Sequence, residues 1–78
     1  MIDIHEELAI QYALMRREYP RDDAEKIAKR VTARLDEHQR LVLAEEAMIW
    51  SDEAADREEL ALAAVRNFVL AMETDTNE

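Results

Sequence analysis

Residues 20–50, PRDDAEKIAKRVTARLDEHQRLVLAEEAMIW, decide the fold of this chain. They begin with its only proline, and like the rest of the chain they contain no glycine and no strand or hairpin signal. Strong helix formers dominate instead. Asp22 is a good N-cap and Glu25 completes a capping box three residues later. The stretch therefore predicts one long helix from Asp22 to about Trp50.

The segment before this stretch predicts a first helix from about Asp3 to Tyr19. Asp3 is a suitable N-cap residue. Pro20 ends the helix because a proline pushes the preceding residue out of the α region.

The segment after Trp50 predicts a third helix. It begins near Ser51 or Asp52, with Ser51 as a plain helix cap, and it runs to about residue 73. Residues 74–78 form a frayed tail. A helix continuing through Ser51 is the alternative, because neither glycine nor proline stands at the junction.

Each predicted helix carries apolar side chains at helical spacing. The sequence therefore predicts an all-α protein: a single domain over residues 1–73, folded as an antiparallel bundle of about three helices. The predicted core rows are Ile4, Leu8, Tyr12, Met15 and Tyr19, with Ile10 and Leu14 alongside; Ala24, Ile27 or Ala28, Val31 and Leu35; and Ala55, Leu62, Val65, Phe68, Val69 and Met72, widened by Leu60 and Leu70.

The middle helix is too long for this bundle. Lengths of about 17, 29 and 22 residues correspond to about 26, 43 and 33 Å. The middle helix would therefore extend beyond the other two. Either it breaks near Glu37–Gln39, or a second chain covers the part that extends beyond them. Two apolar triplets near its end, each spanning about 200° of the helix, favour dimerisation. The predicted oligomer interface is Leu41, Val42, Leu43, Met48, Ile49 and Trp50.

Negative charge is concentrated in the second half of the chain. Residues 43–78 hold ten acids against two bases, whereas residues 1–42 hold nine acids and eight bases. The densest run, residues 45–59, is named here the acidic segment; it contains seven acids and one base, Arg57. Like charges at helical spacing repel, which suggests a function beyond solubility. The predicted partner-binding carboxylates are Glu45, Glu46, Asp52, Glu53, Asp56 and Glu59.

Several chemistries lack their residues. Without cysteine there is no disulfide, catalytic thiolate or cysteine-ligated metal. Without glycine there is no phosphate-binding loop. Neither His5 nor His38 follows an acid by three residues, as a di-iron bundle requires. His38 extends the core row and is interpreted as a boundary histidine. We therefore expect no enzymatic activity, no cofactor and no metal site.

Lys26, Arg30 and Arg34 form a basic ridge on the middle helix. The simplest interpretation is a solvated face with Asp22–Lys26 and Glu25–Lys29 pairs. RNA or DNA binding and pairing with the acids of a second copy are the alternatives. The formal charge of −9 opposes direct nucleic-acid binding.

The expected function is protein binding, with the acidic segment docked on a basic, nucleic-acid-binding surface of a partner. In size, charge and helicity, though in no motif, the chain is similar to phage and mobile-element gene products, among them anti-CRISPR proteins. That similarity implies an inhibitor. The alternative is a homodimeric bundle with a structural or regulatory role, in which the charge serves solubility only. With no signal peptide and no membrane span, a cytoplasmic location is expected.

Overall fold

Four helices make up the part of the chain that the structure, a computed structural model, describes: residues 3–51 and 56–75. The bounds are Ile4–Glu18 for α1, Ala24–Arg34 for α2, Glu37–Trp50 for α3 and Arg57–Asp75 for α4. Within these residues there is no strand, so the all-α prediction is confirmed. The prediction of about three helices needs correction to four.

The additional helix arises because the predicted middle helix breaks at Leu35–Asp36. Leu35 is extended, with φ −84° and ψ 148°, and its side chain is 3% exposed. Asp36 then caps α3: its carboxylate accepts from the backbone N–H of Gln39, whose side chain bonds back to the Asp36 N–H. The Arg40 guanidinium donates to the Leu35 carbonyl. This break removes the part that would extend beyond the other helices, so the helix lengths alone require no second chain.

Two other helix starts differ from the prediction. Asp23, not Asp22, caps α2 by accepting from the N–H of Lys26 at 2.8 Å. Ser51 is extended and ends α3 as its C-cap, so the continuous-helix alternative is wrong. Asp56 accepts from the N–H of Glu59 at 2.8 Å, as an N-cap does, and α4 starts directly after it.

The first helix begins and ends as predicted. Asp3 caps α1 by accepting from the N–H of His5, and Tyr19 is its C-cap. The predicted tail falls partly within α4, which continues through Asp75; residues 76–78 lie outside the described residues.

The core lies where α4 packs against α3 and α2, with α1 packed mainly on α2. Most predicted rows supply it, but four of the predicted side chains, Ile10, Leu14, Tyr19 and Leu70, are instead 37–47% exposed. Ala55 lies outside the described residues. The buried side chains are Leu8, Met15, Ile27, Ala28, Val31, Leu35, Leu43, Ala44, Ala47, Leu60, Ala61, Val65 and Val69.

Ion pairs join helices that are distant in sequence. The Arg66 guanidinium of α4 donates two hydrogen bonds, of 2.6 and 2.8 Å, to the carboxylate of Glu25 on α2. Arg16 of α1 pairs with Glu73 of α4, which also accepts from the Tyr12 hydroxyl. None of the helices described here is long and apolar enough to cross a bilayer.

Candidate functional site

Large apolar side chains are exposed where α3 ends. Met48 is 63% exposed, Ile49 86% and Trp50 48%. Burial of Leu43, Ala44 and Ala47 fixes the inner face of α3, and the helical rotation of about 100° per residue then turns Met48 and Ile49 outward. We name Met48, Ile49 and Trp50 the apolar end of α3.

The structure divides the six predicted interface residues into two groups. Leu43 is 1% exposed and belongs to the core of its own chain, and Leu41 and Val42 are half-buried. Only the apolar end of α3 remains exposed. The reason is the packing of α4 along α3, which covers the first triplet within the chain itself.

The carboxylates of the acidic segment have different surroundings. Glu45 is exposed and lies one helical turn before Met48 and Ile49, on the same face of α3. Glu46 instead faces His5, whose Nε2 lies 3.4 Å from Glu46 Oε2.

Within the first turn of α4 the acids also divide by role. Asp56 is occupied as a cap, whereas Glu58 and Glu59 are exposed. Glu59 lines a surface groove together with Ser51, the residue after the apolar end of α3. Asp52 and Glu53 lie outside the described residues. The exposed acids that belong to the candidate site are therefore Glu45, on the same face as Met48 and Ile49, and Glu59, which shares a groove with Ser51.

Two residues of the basic ridge, Arg30 and Arg34, make contacts within the fold. Arg30 stacks over the Tyr19 ring, 3.5 Å from its centroid, and its Nε donates to Asp22 at 2.6 Å. This hydrogen bond to Asp22 raises the pKa of Arg30. Arg34 donates to Gln11 of α1 at 2.7 Å. Asp22 and Glu25 were predicted to pair with Lys26 and Lys29, but their carboxylates accept hydrogen bonds from Arg30 and Arg66 instead.

No group of three or more histidines and acids within residues 3–51 and 56–75 is placed to hold a metal ion. His38 is exposed, because the helix break removes it from the core row. The hydrogen bond from Arg66 lowers the pKa of Glu25, the opposite of what a general acid at neutral pH needs.

One feature that the sequence did not predict is the meeting of His5, Trp50 and Phe68 around a common groove. The rings of His5 and Phe68 lie edge to face, with centroids 6.5 Å apart. Helical periodicity assigned Phe68 to the core row, but periodicity does not tell which faces of different helices meet. No local signal could have found this arrangement.

Comparison with models of protein families, with curated proteins and with solved structures finds no match for this chain. The candidate site is therefore defined by its own geometry: the apolar end of α3, with Glu45 and Glu59 beside it.

Proposed function

We propose that this chain is a non-enzymatic protein-interaction module that docks the apolar end of α3 and its neighbouring carboxylates on a basic surface of a partner protein. The observation that carries the proposal is the exposure of Met48, Ile49 and Trp50 next to Glu45. Exposed apolar groups with a polar rim are typical of protein–protein contacts.

The apolar side chains supply the affinity in this proposal. Burying a side chain such as Ile49 stabilises a complex by about 1.5–3 kcal/mol. Trp50 is of the residue type most enriched among interface hot spots. The fold buries little of Ile49, which is 86% exposed, and about half of Trp50, which is 48% exposed, so apolar surface remains for a partner.

The carboxylates supply partner selection and speed of association. A surface with net charge of −9 attracts basic surfaces at long range and repels nucleic acid itself. The basic surfaces of greatest extent are those that bind DNA or RNA. The proposed partner is thus a nucleic-acid-binding protein, and the chain acts as its inhibitor, in the manner of the phage and mobile-element products it is similar to.

The experiment is affinity capture from a nuclease-treated extract of the source cells. The test variant carries Glu45→Lys and Glu59→Lys, both exposed positions beside the apolar end of α3. Asp56 is left unchanged because its replacement would remove the cap of α4. The control variant carries Glu6→Lys and Glu18→Lys, two exposed acids of α1, and changes the net charge by the same amount.

Wild type and control should retain a basic protein that the test variant loses, and added duplex DNA or RNA should release that protein from wild type. Equal capture by test and control variants would show that the carboxylates serve solubility only. Capture that nucleic acid does not affect would exclude the proposed inhibitory mode.

A second copy of the chain is the other candidate occupant of this surface. Further apolar side chains are exposed on α1 and α4, where Ile10 is 47% and Leu70 46% exposed. Sedimentation at tens of micromolar should then show a dimer that Ile49→Ser dissociates. A monomer at that concentration would leave the partner protein as the occupant.

A further inference from the structure

We infer that the groove between Trp50 and Phe68 is a binding site for an arginine side chain of a partner protein. The inference rests on the proposed function and specifies it, because it names the group on a basic partner that this chain recognises. The groove has a volume of about 210 Å³ and lies at the junction of α1, α3 and α4.

The groove combines aromatic walls with an apolar floor and polar groups. Trp50 and Phe68 line it as rings, and the buried side chains of Leu8 and Leu43 lie beneath them. Glu46 and Asn67 contribute a carboxylate and an amide. A long side chain with an apolar stem and a polar, planar end fits this order of groups.

The charges of the groove select a cation. Its titratable lining residues are Glu46 and His5, and it includes neither lysine nor arginine. The contact of His5 Nε2 with Glu46 Oε2, at 3.4 Å, is long for a hydrogen bond, so the carboxylate is open to a stronger donor. An anion would be repelled by Glu46, and a wholly apolar group would remove this carboxylate from water without a partner.

The amide of Asn67 offers a second acceptor. It makes no hydrogen bond to any other residue within 3–51 and 56–75, and neither does the indole N–H of Trp50. Arginine has five N–H donors in one plane, so one guanidinium can donate both to a carboxylate and to an amide oxygen while stacking on a ring.

At another place in the fold, an aromatic ring and a carboxylate already surround one guanidinium group of the chain itself. Arg30 stacks over Tyr19 at 3.5 Å while its Nε donates to the Asp22 carboxylate at 2.6 Å. An aromatic face and a carboxylate thus already hold one guanidinium at the surface of this fold. The Trp50–Glu46 groove presents both groups with no lysine or arginine of its own, and cation–π contact is strongest with tryptophan.

The test uses the single tryptophan of the chain as its reporter. The probe is the blocked tripeptide acetyl-Gly-Arg-Gly-amide, titrated into ¹⁵N-labelled protein while the indole N–H resonance of Trp50 is followed. The control is the same peptide with citrulline, which keeps the shape of arginine and removes its charge. The arginine peptide should produce a saturable shift with a Kd in the millimolar range, and the citrulline peptide should not.

Variants connect the shift to the groove. Glu46→Gln should weaken binding on the order of tenfold, because it removes a charge-assisted hydrogen bond. Glu37→Gln, which changes an exposed acid at the other end of α3 and outside the groove, should leave the Kd unchanged. Neither substitution removes a buried group, so both variants should fold.

Three results would overturn the inference: no saturable shift with the arginine peptide, an equal shift with citrulline, or equal loss in the two variants. None of these requires the partner protein. If capture of a basic partner depends on Glu45 and Glu59 while the peptide does not bind, the arginine site is wrong and the proposed function stands.

Discussion

The side chain of Asp36 decides at the level of single residues that this chain has four helices. Its carboxylate caps α3 through Gln39, and the buried side chain of the extended Leu35 fixes the position of the break. The Asp36-x-x-Gln39 capping box was readable in the sequence. It was missed because strong helix formers surround it, and helix propensity alone favours continuing the helix.

Asp36→Ala should therefore destabilise the protein by about 1 kcal/mol, as loss of an N-cap does. Chemical denaturation measures this as a lower midpoint with an unchanged slope. The matched control is His38→Ala, an exposed position in the same turn of α3. Equal stability of the Asp36 variant and the control would contradict the assigned cap.

The Glu25–Arg66 pair should make the free energy of unfolding depend on pH in the acidic range. The hydrogen bond from Arg66 holds the pKa of Glu25 below its ordinary value of 4.5. The native state thus binds a proton at Glu25 less readily than the unfolded chain does. The stabilisation is present above pH 4.5 and is lost as the pH falls below that value and through the native pKa.

Thermal melts of wild type and Glu25→Gln test this expectation. Wild type should be the more stable protein at neutral pH, and the difference in melting temperature should shrink as the pH falls below 4.5. Other carboxylates titrate in both proteins, so the comparison isolates Glu25. A difference that stays constant with pH would show that the pair contributes nothing through its charge.

The apolar faces of the helices were more predictable than their ends. Leu8, Val31 and Val65, one from each predicted row, are buried as predicted, because helical periodicity follows directly from backbone geometry. Helix ends depend on which of several candidate caps is used. Asp22 and Asp23 are equally good caps in sequence, and the tertiary contact of Asp22 with Arg30 accompanies the use of Asp23.

The contact between α3 and α4 should depend on Leu43 far more than on Trp50. Leu43 is 1% exposed, so Leu43→Ala should cost about 2–5 kcal/mol of unfolding free energy. Trp50 is 48% exposed, so Trp50→Ala should cost clearly less. Equilibrium denaturation of the two variants gives both values. Equal losses would mean that Trp50 is buried in solution, for example by a second chain.

At the scale of the whole molecule, the sequence predicted where along the chain the candidate surface lies, but not which residues form it. The acidic segment and the apolar surplus before Ser51 were both visible as clusters along the chain. In the folded chain Leu43 is buried in the core and Asp56 caps α4. Glu46 lies 3.4 Å from the ring of His5. Each of these features depends on a contact between helices, which local patterns do not contain.

The apolar end of α3 is proposed to serve binding and not folding, and the variant Ile49→Ser separates these two roles. Wild type and variants are each used to capture the partner from an extract of the source cells. The unfolding midpoint of each of these proteins is measured in parallel. Ile10→Ser, which changes an equally apolar exposed residue on α1, is the control.

We expect the unfolding free energies of both variants to lie within about 0.5 kcal/mol of the wild-type value, as is usual for substitutions at exposed positions. Ile10→Ser should retain the partner, and Ile49→Ser should lose it. If Ile49→Ser is as stable as wild type and captures the same protein to the same extent, the apolar end of α3 is not a binding surface.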